Sequence, residues 1–344
     1  MSDYVLVANN GNPSLVAFPW SNDTGFGTKV ADPVPGPSSA FAANFSPTNA
    51  YIVCAEFSSP YVRAYRWSDG FGTKFADPTV TPTNTGQDAK FSVDGQAVIV
   101  AHGQPPGVSA YMWSDAGFGT KYANPTPALG NGYFLALAPS GDALVVSTDG
   151  SGPYVYGFAW SVAGFGVKFS DPATPLTDWG NGVAFSPDGT SIAICSYSPD
   201  AINVYSWSGA GFGTKFANPG TMPSGNGMDV CFSPNNDYIA VAHSSNPYVS
   251  VYAWSGSGFG IKYSNPATLP TNQGRSVMFS PDGQVLGMGQ LNNPSVNFYA
   301  WSGAGFGTRY ASPVGLPNNS AALGIAFTNA ALAFWHNFIR SYEV

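Results

Sequence analysis

Histidine is the side chain best suited to proton transfer at neutral pH, and the chain contains only three. His102, His243 and His336 each end a short apolar run, as in the stretch 238–243, YIAVAH. Other copies of this run also end in a polar residue: Asn9, Glu56, Thr148, Ser196 and Gln290. These side chains could satisfy the backbone groups of nearby loops, or they could form a polar floor for a ligand or a partner.

Patterns that announce an enzyme or a metal site are not visible in the sequence. Most aspartates stand in turns or before proline, as Asp32, Asp77 and Asp171 do, so no pair of carboxylates stands out. No Ser-His-acid set, phosphate loop or metal-spaced Cys and His is present. The three cysteines lie scattered in apolar runs and are predicted to be buried thiols: Cys54, Cys195 and Cys231. We therefore predict no catalytic residue, no metal and no cofactor.

Charge excludes some partners. Only 9% of the residues are charged, and 12 basic against 19 acidic residues give a net charge of −7. This balance is unlike that of a nucleic-acid-binding protein and disfavours anionic membranes. No apolar run is long enough to insert in a membrane, and the first residues lead directly into a repeated pattern, so no signal peptide is predicted.

A repeat of about 47 residues must position all of these side chains. Its marker is a tryptophan that recurs in steps of 46 or 47 residues, at Trp20, Trp67, Trp113, Trp160, Trp207, Trp254 and Trp301. A period of this length indicates a repeat architecture with one continuous core. We therefore interpret residues 1–344 as a single domain.

Each repeat contains four short strands, a to d, as residues 227–266 illustrate. Strand a, Val230–Phe232, ends in a turn whose better copies read Ser186-Pro187-Asp188-Gly189. Strand b, Tyr238–Ala242, is apolar throughout, strand c runs from Tyr248 to Trp254, and strand d from Phe259 to Tyr263. Four antiparallel strands repeated around an axis predict an all-β fold, the β-propeller.

The blade count follows from the two ends of the chain. The N-terminus supplies strands b, c and d, whereas Leu323–Phe327 supplies a strand a, so strand exchange would complete a seventh blade. Leu332–Trp335 and Phe338–Tyr342 resemble further b and c strands. They would either cover the closure of a seven-bladed ring, which we favour, or build an incomplete eighth blade.

Strand d carries a recurring basic residue on its face opposite the aromatics. It is found at Lys29, Lys74, Lys121, Lys168, Lys215, Lys262 and Arg309. Lysine in an outermost strand prevents sheets from pairing edge to edge, so we predict a protective rim here and no ligand-binding stripe.

The entry to strand a diverges where the repeats otherwise agree. Its residues are Phe41, Gln87, Tyr133, Asn181, Met228, Arg275 and Leu323, and Trp179 lies close before one copy. Divergence confined to loops indicates either freedom or recruitment for asymmetric binding. Together with the polar ring at the same end of the repeat, it defines a candidate binding face: Trp179, Tyr133, Gln87, Arg275, Asn181, His102, His243, Glu56 and Gln290.

Two resemblances follow from the repeat. The string GVAFSPDG at 182–189 resembles the YVTN and WD-repeat class of propellers, although the Trp-Asp dipeptide of the WD repeat is absent. The string GFGTKFADP at 70–78, followed by Pro-Thr-Asn-Thr-Gly, is similar to repeats of predicted virion proteins of tailed bacteriophages. The second resemblance implies a component of a virus particle and assigns no site.

These observations favour a non-enzymatic structural or attachment protein of a phage virion, located in the particle and binding another virion protein through one propeller face. A lectin-like module that recognises a host-surface glycan through Trp179 and the polar ring is the alternative. A propeller hydrolase or lactonase is third, because such enzymes carry charged clusters near the axis and this chain has little charge. Outside a particle, the protein would be soluble and cytoplasmic.

Overall fold

Short strands separated by tight turns make up this protein. Its structure is a computed structural model, which describes residues 3–150, 152–197, 199–317 and 320–329. Within those residues there are 28 strands and no helix. The described part of the chain consequently offers no helix with the length and apolar character needed to cross a bilayer.

The strands follow the predicted repeat. The chain begins with β1 (Asp3–Asn9), β2 (Leu15–Ser21) and β3 (Gly25–Phe26). Blade 2 contains β4 (Ala40–Phe45), β5 (Tyr51–Glu56), β6 (Val62–Trp67) and β7 (Phe71–Lys74). Blade 3 contains β8 (Gly86–Phe91), β9 (Ala97–His102), β10 (Val108–Ser114) and β11 (Gly117–Lys121). Blade 4 contains β12 (Gly132–Leu137), β13 (Ala143–Thr148), β14 (Val155–Ser161) and β15 (Gly164–Lys168).

The second half repeats this order. Blade 5 contains β16 (Gly180–Phe185), β17 (Ser191–Ser196), β18 (Ile202–Ser208) and β19 (Gly211–Lys215). Blade 6 contains β20 (Gly227–Phe232), β21 (Tyr238–His243), β22 (Val249–Ser255) and β23 (Gly258–Lys262). Blade 7 contains β24 (Gly274–Phe279), β25 (Val285–Gln290), β26 (Val296–Ser302) and β27 (Gly305–Arg309). The last described strand is β28 (Ala322–Phe327).

Blade 1 is built from both ends of the chain. Strand β28 pairs antiparallel with β1, with Val5 opposite Phe327 and Val7 opposite Ile325, and the sheet order is β28-β1-β2-β3. The first strands of adjacent blades contact one another all the way round, from β4 to β8 and finally from β28 back to β4. The predictions of an all-β propeller, of seven blades and of closure by strand exchange are confirmed. The segments 332–335 and 338–342 and His336 lie outside the described residues.

Strand a reverses into strand b because of the predicted Ser-Pro-Asp-Gly turn. In blade 5 the Ser186 hydroxyl donates to the Asp188 carboxylate (2.6 Å) and accepts from the Ser191 amide (2.9 Å). Gly189 closes the turn by donating its amide to the Ser186 carbonyl, at a φ of 69° that favours glycine. The turn fixes the register of the two strands. It thereby fixes the height of each side chain along the central channel that the seven innermost strands surround.

Each repeat tryptophan is packed between two blades. Trp113 lies against Tyr51 and Phe75 of blade 2, with ring centroids 5.5 and 4.9 Å away, and against Phe91 and Phe118 of its own blade. The seven repeat tryptophans are only 4–8% exposed. Edge-to-face contacts of this kind, added to the buried area, hold neighbouring blades together.

The basic residues of the outermost strands are bound locally. Lys74 and Lys168 contact the carboxylates of Asp77 and Asp171, three residues further along, and Lys262 donates to the Asn265 side chain (2.7 Å). Their predicted role in protecting the sheet edges stays a prediction.

Replacing an inter-blade tryptophan should cost far more stability than replacing an exposed one. We expect Trp113→Ala to lower the free energy of unfolding by about 3–5 kcal/mol, because a cavity remains among four aromatic rings. Trp179→Ala, at a position that is 40% exposed, should cost less than about 1 kcal/mol. Denaturant unfolding measures both values, and similar losses would contradict the packing described here.

Candidate functional site

The polar residues that end strand b lie beneath the surface. The carboxylate of Glu56 accepts from the Arg63 guanidinium (2.5 Å) and from the Ser38 amide (3.0 Å). Nε2 of His102 and of His243 lies 2.9 and 3.0 Å from the Ser109 and Ser250 hydroxyls. The Gln290 side chain donates to the Thr271 hydroxyl (2.9 Å) and accepts from the Asn297 side chain (2.9 Å). All four residues are fully buried, and each bonds within its own blade.

Burial also sets the charge of the two described histidines. It lowers the pKa of His102, and it lowers the pKa of His243 to about 4, so His243 is neutral at neutral pH. The hydrogen bonds of these residues are those of side chains that hold loops in place. A role in binding stays a prediction.

One end of the channel, which we call the mouth, is lined by two repeat positions. The first is the second residue of each innermost strand: Phe41, Gln87, Tyr133, Asn181, Met228, Arg275 and Leu323. The second follows the polar end of strand b: Asn10, Phe57, Gly103, Asp149, Tyr197, Ser244 and Leu291. The two positions lie side by side because the start of strand a pairs with the end of strand b, as Gly132 does with Thr148.

A carboxylate held by two donors forms one side of the mouth. Oδ2 of Asp149 accepts from the Tyr133 hydroxyl (3.0 Å) and from Nδ2 of Asn131 (3.1 Å). No described residue donates to its Oδ1. Burial, the Asp149 charge and this hydrogen bond raise the pKa of Tyr133 to about 12, so its hydroxyl keeps its proton and stays a donor.

An aromatic pair stands next to this carboxylate, in blade 5. The rings of Trp179 and Tyr197 lie 5.6 Å apart, and the Tyr197 amide donates to the Trp179 carbonyl (3.3 Å). Tyr197 was not among the predicted site residues. Its repeat position holds residues as different as Gly103, Asp149 and Ser244, and this divergence is the signal that could have identified it.

Arg275 brings a positive charge to the mouth from blade 7. Among the described residues it has no hydrogen bond and no carboxylate partner, and its side chain is half-buried. Burial lowers the pKa of Arg275, while its interaction with Tyr197 raises it, and a guanidinium remains charged at neutral pH. Tyr197 also affects the pKa of Tyr133, so Tyr197 lies near both Arg275 and the Tyr133–Asp149 pair.

The other two predicted residues of the face differ in their exposure. Asn181 is buried, and its Nδ2 donates to the Gly227 carbonyl of the next blade (2.8 Å), which ties two innermost strands together. Gln87 is half-buried at the mouth in blade 3. The structure thus places Trp179, Tyr133, Arg275 and Gln87 at the mouth, in blades 5, 4, 7 and 3, and Asn181 in the wall.

The channel below the mouth contains charged residues that the sequence did not single out. Asp88 accepts from the Leu135 amide (3.2 Å), and Lys90 donates to the Leu135 carbonyl (2.7 Å). Across the channel, Asp229 accepts from the Val277 amide (2.9 Å) and interacts electrostatically with Lys90 and Asp88. Groups three blades apart are therefore close enough to influence each other.

Asp229 faces this channel with protein around it, and burial raises its pKa to about 7. Two backbone amides act in the opposite direction by stabilising its charge. The same repeat position holds Asp88 in blade 3 and small, apolar or neutral residues elsewhere, such as Ala42, Phe134 and Gly182, which is a signal that only a comparison of the repeats reveals.

The three cysteines differ in their exposure. Cys54 and Cys195 are buried, as predicted, whereas Cys231 is partly exposed. Burial raises the pKa of all three thiols, so they remain protonated at neutral pH.

At the far end of the channel, Cys231 lines a cavity of about 320 Å³ with Phe232, Phe279 and Phe327. In the described part of the chain, no group of His, Cys, Asp and Glu could hold a metal ion.

Comparison with known proteins identifies similar structures but no family. No protein-family model and no curated protein sequence matches the chain. A protein from Lactobacillus plantarum is similar, with a TM-score of 0.72 and 13% identity over 95% of this chain and 99% of that one. A proposed 6-phosphogluconolactonase from Bacteroides fragilis has a TM-score of 0.69 and 12% identity over 95% of this chain and 98% of that one. The periplasmic gluconolactonase of Pseudomonas aeruginosa has a TM-score of 0.68 and 15% identity over 93% of this chain and 98% of that one.

At this identity the similarity establishes the fold, and it corrects two predictions. The prediction of a non-enzymatic virion protein is wrong, because two of these three structures are described as lactonases and none as a particle component. The narrower resemblance to YVTN or WD repeats and to phage proteins likewise finds no support in them. Low overall charge misled the prediction, because a few charged residues nevertheless lie along the channel: Arg275, Asp149, Asp229, Asp88 and Lys90.

The raised pKa of Asp229 predicts a pH-dependent stability. The folded state holds this proton more tightly than the unfolded chain, whose pKa is 3.8, so stability falls as the pH rises from there through about 7. Asp229→Asn removes the titration. Between about pH 5 and 8 we expect the difference in unfolding free energy to shift in favour of the variant by about 1–3 kcal/mol. Urea unfolding at several pH values measures it, and a constant difference would refute the assignment.

Proposed function

We propose that the protein hydrolyses a lactone, of the sugar-acid type, at the mouth of its channel. The observation that carries the proposal is the unpaired guanidinium of Arg275 at the same mouth as the carboxylate of Asp149, which Tyr133 and Asn131 hold. A positive group and a basic group at one concave site are what ester hydrolysis by water needs.

Substrate binding is assigned to the aromatic pair. A sugar-derived ring has apolar faces that pack on aromatic side chains, and Trp179, at 40% exposed, presents such a surface beside Tyr197. The carbonyl of the lactone would then point to Arg275, with the attacking water on the Asp149 side.

The reaction transfers one proton from water to the leaving oxygen. Oδ1 of Asp149 takes a proton from water as the oxygen of that water bonds to the lactone carbonyl carbon. The carbonyl oxygen becomes negative and is stabilised by Arg275. The bond from that carbon to the ring oxygen then breaks, the ring oxygen receives the proton, and an open hydroxy acid leaves. Tyr133 and Asn131 position the base by holding its Oδ2.

The comparisons support this reading without assigning it. Lactonase descriptions belong to propellers from Bacteroides fragilis and Pseudomonas aeruginosa that share 12–15% identity with this chain.

Two substitutions test the assignment on δ-gluconolactone, followed by acid release above the uncatalysed rate. We expect Arg275→Met to lower kcat/KM by about 10²–10³-fold, because the developing negative charge loses its partner. Asp149→Asn should lower kcat by about 10²–10⁴-fold, because an amide cannot accept the proton.

Arg309→Met, on the outermost strand of blade 7, is the matched control and should leave the activity unchanged. Thermal unfolding of each variant separates loss of activity from loss of fold. Equal activity in wild type and Arg275→Met would overturn the proposed site.

A further inference from the structure

The mouth of the channel has an apolar sector opposite the aromatic pair of the proposed site. Phe41 and Phe57 of blade 2 stack with their ring centroids 6.4 Å apart and their planes at 21°. Phe57 is 58% exposed, and Leu323 of blade 1 occupies the adjoining position. The polar residues Tyr133, Asp149 and Arg275 lie in other blades, so the two halves of the mouth differ in character.

Hydrogen bonds fix the backbone at the exposed phenylalanine, Phe57. The Phe57 amide donates to the Ser39 carbonyl (2.9 Å), and its own carbonyl accepts from the Thr85 hydroxyl (3.2 Å). The preceding residue, Glu56, is fixed by its buried ion pair with Arg63. A large apolar side chain that is exposed on a fixed backbone and stacked on a second ring offers a preformed binding surface, because little backbone freedom is lost when a ligand covers it.

The two aromatic pairs lie on opposite sides of the mouth, because blade 2 and blade 5 are three blades apart in a ring of seven. A ring bound on Trp179 and Tyr197 would therefore direct a substituent across the mouth, towards Phe41 and Phe57.

We propose that the substrate is a lactone with an apolar alkyl or aryl substituent, and that Phe41 and Phe57 form the subsite for that substituent. This inference rests on the proposed function for the position of the lactone ring. The side chains of Phe41, Phe57 and Leu323 carry no polar atom, so the substituent that this sector fits is a hydrocarbon.

The kinetic test compares δ-decalactone, which carries a pentyl chain, with unsubstituted δ-valerolactone. We expect the wild type to prefer δ-decalactone by at least about tenfold in kcat/KM. In Phe57→Ser this ratio should fall towards one. Ile261→Ser, at an exposed apolar position on the outermost strand of blade 6, is the control and should keep the wild-type ratio.

A binding test separates failure of this inference from failure of the proposed function. The probes are 6-pentylpiperidin-2-one and piperidin-2-one, lactams that resist hydrolysis, observed by saturation-transfer NMR. Saturation of the pentyl protons in the wild type and its loss in Phe57→Ser support the subsite, even if no lactone is turned over. Turnover of both lactones at equal kcat/KM, or no saturation of the pentyl protons, overturns it.

Discussion

The packing of one tryptophan ring between each pair of adjacent blades is the contact on which the structure depends. A four-stranded sheet has two faces to cover, and every blade covers those of its neighbours with the same set of aromatic rings around one tryptophan. Because the packing repeats at seven interfaces, the innermost strands are set at one distance from the axis. The channel and its mouth are products of that spacing.

Fixed walls allow the mouth to vary freely. The residues that tie adjacent innermost strands, such as Asn181 to Gly227 and Asp229 to Val277, act on backbone groups and leave the neighbouring positions unconstrained. The mouth therefore combines a carboxylate, a guanidinium and two aromatic pairs on a scaffold whose blades are otherwise nearly alike. Asymmetry of this kind on a symmetric frame is how propellers support distinct chemistries.

The fold could be predicted because its determinants are local and repeated. The tryptophan period gave the number of blades, the Ser-Pro-Asp-Gly turn gave the reversal of strands, and the surplus strands at the two ends gave the closure. The mouth was located by the divergence of one repeat position, and the structure places Trp179, Tyr133 and Arg275 there, while their role in binding stays a prediction. Tyr197, Asp149 and Asp229 escaped notice, because their significance depends on groups in other blades.

Strand exchange in blade 1 has a consequence for how the molecule is made. The blades from β4 to β27 consist of consecutive segments, so each can form as soon as it leaves the ribosome. Strand β1, by contrast, has no inner neighbour until residues 322–327 have been synthesised. Until then the blades form an open arc, and the ring closes only when β28 pairs with β1.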